Sequence, residues 1–287
     1  MKKWIEAMRL RTLPVSLAGV ICGTACALLQ GSFNAIVALL CMLFAALAQI
    51  ASNFGNEYYD YKNGIDKKGR EGFRRGVTEG EIAPIAMKRA TYATLALAAI
   101  TGCAMLFFGP WWLLFVGAMV ALFALGYSAG PYPLSHHGLG DVAVIIFFGV
   151  VPVTFTCYIQ TGTFDFKTLL TSLAVGLLAA NVLIVNNYRD AEDDKAVNKN
   201  TTVVIFGRKV MAWCYMYAGV VAMAVMTPVW MEMHLWSLPI ILVYLALHIR
   251  NWQYLKNANG AALNPLLGKT AVTLFVFSLM FLIAAII

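Results

Sequence analysis

The run Asn53-Phe-Gly-Asn56-Glu57-Tyr-Tyr-Asp60-Tyr-Lys62-Asn63-Gly64-Ile-Asp66 places Asn53, Asn56 and Asp60 three and four residues apart. On a helix that spacing brings the three side chains to one face. Asn63-Gly64 is a helix C-terminal signal, beyond which the chain is able to fold Asp66 back toward the same face. A second run, Asn186-Asn187-Tyr188-Arg189-Asp190-Ala-Glu192-Asp193-Asp194, sets Asn186, Asp190 and Asp194 at i, i+4 and i+8, again one stripe. Two such helices facing each other would gather the carboxylates of Asp60, Asp66, Asp190 and Asp194, with several amide oxygens, at one level.

Carboxylates crowded in a partly desolvated cleft repel one another and take up protons unless cations hold them. Mg²⁺ is the natural partner, because it prefers oxygen ligands, keeps several waters and binds through one or two carboxylates together with substrate phosphates. The paired motifs therefore point to a diphosphate held through two bridging Mg²⁺ ions, whose charge offsets that of the departing group. Asn56, Asp60, Asp66, Asn186, Asp190 and Asp194 are the expected ligands. Basic side chains follow each motif: Lys67, Lys68, Arg70, Arg74 and Arg75 after the first, Lys195, Lys199, Arg208 and Lys209 after the second. Arg forks onto phosphate oxygens, so Arg74, Arg75, Lys195 and Arg208 are candidates to bind the diphosphate, with Asn53 and Lys62 beside them. The competing interpretation of each of these cations is a membrane-topology signal.

The elements that must carry these faces are membrane helices. The chain is 61% hydrophobic and 12% charged, with mean hydropathy +0.74, where a soluble domain carries roughly 25% charged residues. Apolar runs of spanning length recur at 13–30, 35–59, 84–108, 111–128, 140–160, 167–188, 209–229, 235–250 and 267–286, the eighth being short and interrupted by Pro239. Nine spans with a cytoplasmic N-terminus put the C-terminus outside and both acidic loops in the cytoplasm. Of the 21 Lys and Arg, only Lys167 then falls outside, and of the 14 acidic residues only Asp165 and Glu232. That asymmetry explains the net charge of +7 as topology and excludes a nucleic-acid partner. The basic start followed by an apolar run is a first span rather than a signal peptide, since eight more runs follow. The six cysteines lie in apolar stretches without metal-site spacing and are expected to be small buried hydrophobes. His136 and His137 are expected to be solvated. The chain reads as one domain, 1–287, with an approximate internal repeat that pairs the motif-bearing helices ending near 60 and 190. The rival from another class, a cation-coupled transporter, would place ionisable groups near the bilayer midplane, whereas here they gather at one end.

The two motifs resemble the paired aspartate-rich signatures of the UbiA superfamily of intramembrane prenyltransferases, and the resemblance covers nearly the whole chain. Within that superfamily the chain is most similar to the group that prenylates 1,4-dihydroxy-2-naphthoate in menaquinone synthesis. The residues concerned are Arg9-Leu-Arg11-Thr-Leu-Pro14, the Asp60-to-Asp66 spacing, Glu71-Gly-Phe-Arg74-Arg75-Gly, Tyr127-Ser-Ala-Gly-Pro-Tyr-Pro-Leu, and Gly138-Leu-Gly-Asp141 before Phe147-Phe-Gly. Glu57 stands where members commonly have Asp and is expected to remain a ligand, while Asp66 lies two residues later than in many relatives. The resemblance implies an all-α transmembrane bundle of nine helices around a central cavity with cytoplasmic loop caps, the diphosphate at its mouth and the prenyl tail directed toward the lipid bilayer. It further implies transfer of a polyprenyl group from polyprenyl diphosphate to 1,4-dihydroxy-2-naphthoate through an allylic carbocation, with loss of CO₂ and formation of demethylmenaquinone. 4-Hydroxybenzoate is the alternative acceptor. Tyr127 is either a substrate contact or an interfacial tyrosine, and either Arg9 or Arg11 would meet the acceptor carboxylate.

Overall fold

The computed structural model describes residues 2–69, 72 and 74–287. Among these residues the chain forms nine long helices: α1 (Leu13–Leu29), α2 (Ala35–Lys62), α3 (Pro84–Ala104), α4 (Leu113–Gly126), α5 (Gly140–Thr161), α6 (Phe166–Ala196), α7 (Thr202–Val225), α8 (Ser237–Asn257) and α9 (Asn264–Ile286). Seven stretches of the described residues are long and apolar enough to cross a membrane, and α4 is a shorter apolar helix. The chain is a multi-pass membrane bundle.

Local chemistry sets the helix starts. The side chain of Asn34 accepts the amides of Ile36 and Val37, Asp165 accepts that of Thr168 and Thr201 that of Val204, satisfying N–H groups with no partner inside their helices. Proline occupies the first turn of α1, α3 and α9, where its missing N–H costs nothing.

The largest buried cluster joins α1, α6 and α9 with the inner faces of α5, α7 and α8. Helices α1 and α6 are the most enclosed, whereas α2 and α3 turn most of their apolar surface outward. Leu39, Leu43, Leu97 and Ile100 are accordingly exposed, as lipid-facing residues are. Small residues let the inner helices approach closely. A Cβ built on Gly149 would stand 2.4 Å from the Cα of Gly176, so neither position tolerates a side chain. Gly149 lies in a π turn, Ile145–Val150, within α5.

The departures from the sequence expectations are local. Helices α2 and α6 continue past the expected ends, to Lys62 and Ala196, so Asn53, Asn56 and Asp60 and the whole second motif ride on regular helix. Helix α7 begins at Thr202 rather than 209 because Gly207, at φ 81°, joins a short capped turn to the apolar body. Four cysteines are buried, but Cys103 and Cys214 are exposed on the apolar exterior, where a weakly polar thiol is tolerated. His136 and His137 are not freely solvated. Asn200 donates its amide to the His136 carbonyl at 3.0 Å, and the His137 ring meets the Pro133 carbonyl at 2.8 Å and stacks on Tyr132. The two histidines clip the loop before α5 to the loop before α7.

Candidate active site

At one end of the bundle the last turns of α2 and α6 face each other across a cavity of about 150 Å³. The first motif reaches it through a turn. Gly64 adopts φ 68°, a conformation that disfavours a side chain, and the amides of Ile65 and Asp66 both return to the Asp60 carbonyl, at 2.9 and 3.4 Å. Asp66 is thereby folded back beside Asp60. The Arg75 guanidinium lies 3.3 Å from Asp60 Oδ2 and 3.2 Å from Asp66 Oδ2, with all three side chains buried.

The second motif needs no turn. Arg189 forks onto its neighbour, donating from Nε to Asp190 Oδ1 at 2.6 Å and from Nη2 to Oδ2 at 2.8 Å. It also donates to Asn186 Oδ1 at 2.9 Å and, across to α9, to Asn264 Oδ1 at 3.1 Å. One turn on, Lys199 Nζ lies 3.2 Å from Asp194 Oδ1, and the Lys199 amide closes on the Asp194 carbonyl. Gly72 sits directly over this group, since a Cβ there would stand 2.5 Å from Arg189 Nη2 and 3.2 Å from Asp190 Oδ1. The loop after the first motif therefore covers the second.

A third wall comes from the N-terminus. Arg9 has φ 51°, the left-handed conformation that costs a side-chain-bearing residue roughly 1–2 kcal/mol. That kink turns Arg9 inward, where it donates to Asn56 Oδ1 at 3.0 Å, while Asn56 donates to Ser128 Oγ at 2.8 Å. Asn53 is buried and donates to the Met8 carbonyl at 2.9 Å, pinning the short helix Lys2–Met8 to α2. Tyr127 lines the same cavity.

The expected residues thus divide. Asn53, Asn56, Arg75, Tyr127, Asn186 and Asp190 line the cavity, with Asp60, Asp66 and Asp194 standing directly behind Arg75 and Lys199. Lys62 and Lys195 are exposed and outside the cavity lining. Arg74 pairs with Glu81. Arg208 pairs with Glu192 at 3.0 Å and covers the Tyr188 ring. Arg11 lines a separate groove between α8 and α9. Arg70, Glu71 and Phe73 lie outside the described residues. Glu57 is fully buried but accepts the Val77 amide at 3.0 Å, so it braces the loop and does not line the cavity. Arg189, Lys199, Gln49 and Thr12 also line the cavity, and residue type and spacing alone give none of the four a specific role. Arg189 sat inside the quoted motif, but its place beside Asp190 gave no cue that it would bend back.

Among the described residues no three carboxylate, histidine or cysteine side chains converge as a ready metal-binding set. The carboxylates instead stand as two pairs: Asp60 and Asp66 share Arg75, while Asp190 is held by Arg189 and Asp194 by Lys199. Mg²⁺ bound through one or two carboxylates and completed by substrate phosphates fits that division. Arg75, Arg189 and Lys199 neutralise the aspartates here.

A second cavity, of about 350 Å³, adjoins the first and shares Gln49, Ser52, Phe123 and Phe148 with it. Its remaining walls are almost wholly apolar, from α1 to α5. The rings of Phe123 and Phe147 stack at 3.8 Å beside the junction. One polar chamber thus opens into one chamber suited to a hydrocarbon chain.

Comparison with known proteins agrees with this architecture. Residues 16–279 match the model of the UbiA prenyltransferase family. The 1,4-dihydroxy-2-naphthoate octaprenyltransferase of Escherichia coli (strain K12) is 34% identical over 98% of this chain and 94% of its own length. That of Mycobacterium tuberculosis is 32% identical over 96% and 94%. Among solved structures, a UbiA homolog from Archaeoglobus fulgidus bound to GPP and Mg²⁺ superposes with a TM-score of 0.71 at 17% identity, covering 99% of this chain and 100% of that one. The apo UbiA homolog from Aeropyrum pernix K1 gives 0.72 at 15% identity over 97% and 98%. With two aspartate-bearing helices closing on one polar chamber and the family match spanning nearly every helix, the chain is a membrane prenyltransferase and belongs to the UbiA prenyltransferase family.

Proposed function

We propose that this enzyme transfers a polyprenyl group from polyprenyl diphosphate to 1,4-dihydroxy-2-naphthoate, releasing CO₂ and diphosphate and giving demethylmenaquinone at the quinol level. The observation that carries it is the junction of the two cavities. Asp190, Arg75, Arg189 and Lys199 line the polar chamber with Asp60, Asp66 and Asp194 behind them, and the apolar chamber adjoins it across Gln49, Ser52, Phe123 and Phe148, the division a diphosphate with a long hydrocarbon tail requires. The names of the relatives at 32–34% identity support the naphthoate acceptor.

Asp60, Asp66, Asp190 and Asp194, with Asn56 and Asn186, would hold two Mg²⁺ ions, whose chemistry is to offset charge on the leaving diphosphate. Arg75, Arg189 and Lys199 exchange their carboxylates for phosphate oxygens, so the site stays neutralised before and after substrate enters. The allylic C–O bond breaks with its electron pair leaving on diphosphate, and Phe123 and Phe148 keep water from the exposed carbon. Arg9 meets the acceptor carboxylate beside Thr12 and Gln49, a role for which Arg11 is turned the wrong way. The acceptor ring forms its new C–C bond at the carboxylate-bearing carbon, and that carboxylate departs as CO₂. Asn53 and Tyr127 position the acceptor. The whole chain works as one unit, its two motif-bearing helices acting as halves of an approximate repeat.

Purified protein with Mg²⁺, polyprenyl diphosphate and carboxyl-labelled 1,4-dihydroxy-2-naphthoate should release labelled CO₂, and 4-hydroxybenzoate should be used poorly. Equal or faster turnover of 4-hydroxybenzoate overturns the naphthoate acceptor. The motif end carries the positive charge and therefore faces the cytoplasm. Labelling of a cysteine at exposed Lys67 by an impermeant reagent in intact cells would reverse that orientation.

A further inference from the structure

Among the described residues, five basic side chains at the motif end pair with a carboxylate: Arg74 with Glu81, Arg75 with Asp60 and Asp66, Arg189 with Asp190, Lys199 with Asp194 and Arg208 with Glu192. Arg11, Arg250 and Lys269 do not. They come from three separate elements, the turn Leu10–Thr12, α8 and α9. They nonetheless line one groove of about 580 Å³ with no acidic residue in its walls. Among the described residues none of the three has a carboxylate within salt-bridge distance. Lys269 instead lies 5.1 Å from the centre of the Tyr254 ring.

The groove is also apolar on one side. Along α9, Pro265, Gly268, Lys269 and Val272 fall on one helical stripe, and a Cβ built on Gly268 would meet nothing within 4 Å. Val272 is 53% exposed and faces the groove together with Leu247 of α8. The cations thus share one groove with an apolar side formed by Leu247 and the exposed Val272. A phosphate needs the former and an acyl chain the latter. Three cations without counter-charge are held together only against their mutual repulsion, and an anion relieves it. The guanidinium groups of Arg11 and Arg250 suit phosphate oxygens in a forked geometry, with Lys269 as a point charge.

We propose that this groove binds an anionic phospholipid, its headgroup phosphate held by Arg11, Arg250 and Lys269 and an acyl chain lying along Leu247 and Val272. The site is distinct from the catalytic chamber, yet it shares a wall with it. Asn264 lines the groove and accepts a hydrogen bond from Arg189 at 3.1 Å, so the lipid packs against the helix end that supports the second motif.

Native mass spectrometry of the full chain in neutral detergent tests this with three probes: phosphatidylglycerol, phosphatidylcholine and inorganic phosphate. The wild type should retain one phosphatidylglycerol in preference to phosphatidylcholine. Each single change, Arg11→Gln, Arg250→Gln or Lys269→Gln, should weaken retention about fivefold, the worth of one cation near an anionic lipid. The triple variant should abolish the preference. Inorganic phosphate at millimolar concentration should not displace the lipid, because it lacks the chain. Equal retention by wild type and variants overturns the lipid site, and so does displacement by phosphate alone, which would identify a site for free phosphate. Should the triple variant not fold, the exposed Lys269→Gln and Arg250→Gln variants decide by the same measure.

Discussion

The two acidic motifs reach the same chamber by different means. In the first, the carboxylates straddle a helix end. Asp60 is on α2, Asp66 comes back through the left-handed turn at Gly64, and the cation that joins them, Arg75, belongs to the loop beyond. In the second, Asn186, Asp190 and Asp194 stand on one uninterrupted helix, and Arg189 comes from that same helix. One half of the site is built on a rigid element, and the other is completed by a loop that Glu57 braces from behind through the Val77 amide. Arg75 is carried by the loop after α2, whereas Arg189 is carried by the regular helix α6. Substrate entry and diphosphate release are therefore expected past the first motif.

The harshest test of that asymmetry removes the fixed half. Asp190→Asn should lower turnover by about 10²–10³-fold, the scale of losing one preorganised electrostatic group, in protein that still folds. Stripping Mg²⁺ with a chelator should do at least as much. Asp60→Asn should match Asp190→Asn, and Asp66→Asn should cost less because its carboxylate depends on the turn. Equal losses at Asp66 and Asp190 would mean that the two motifs are equivalent.

Next in size is the loop cation. Arg75→Gln should cost about a hundredfold and raise the KM for polyprenyl diphosphate, while the adjacent Arg74→Gln, which loses only its exposed pair with Glu81, should stay within about twofold of wild type. Steady-state kinetics on the two variants separates them, and similar losses in both would place the diphosphate outside the chamber described here.

That pair of neighbours also marks what the sequence was able to say. Helical periodicity made Asn53, Asn56, Asp60, Asn186, Asp190 and Asp194 legible, because i, i+4 spacing fixes a face before any fold is known. The Asn-Gly pair made the return of Asp66 legible for the same reason, a local backbone rule. No such rule chooses between Arg74 and Arg75, between Lys195 and Lys199, or between Arg9 and Arg11. Those choices follow from loop paths and from a left-handed residue at Arg9 that nothing in the sequence demands. Glu57 carried the right charge on the right helix, three residues from Asp60 and four from Asn53, yet it accepts the Val77 amide; helical spacing does not separate it from the motif face, and the path of the loop does. The nine apolar runs were legible from composition, but the extra turns of α2 and α6 were not, since polar helix beyond the membrane has the composition of a loop, and the start of α7 was hidden by Gly207 and the basic pair after it.

A smaller effect probes where the two motifs touch. Gly72→Ala would push a methyl group against Arg189 Nη2 and Asp190 Oδ1. Both belong to a hydrogen-bonded pair, so the loop rather than the pair should yield. The expected result is a KM for polyprenyl diphosphate raised about tenfold with kcat changed less, because the cover is displaced and the second motif is left in place. A loss confined to kcat would instead locate the damage in Arg189 and Asp190 themselves.

The mildest test concerns the clip that secures the second motif's own loop. The His136 carbonyl accepts the Asn200 amide, and Lys199, one residue earlier, holds Asp194. The imidazole is half-buried, its Nε2 without a hydrogen-bond partner. Burial first, then the neighbouring positive charge of Lys199 and the His137 ring, lower its pKa from 6.5 to about 4. Folded His136 therefore stays neutral in a range where the unfolded chain takes up a proton. The stability this contributes is present in full above pH 6.5 and is lost as the pH falls toward 4. The thermal midpoint of the protein in detergent should decline by a few degrees between pH 7 and pH 4.5. His136→Gln keeps the backbone carbonyl that receives Asn200 but has no proton to gain, so its decline over the same interval should be shallower. An identical decline in both proteins would show that the clip carries no titrating group, and that the acid sensitivity of this end of the bundle resides in the aspartates.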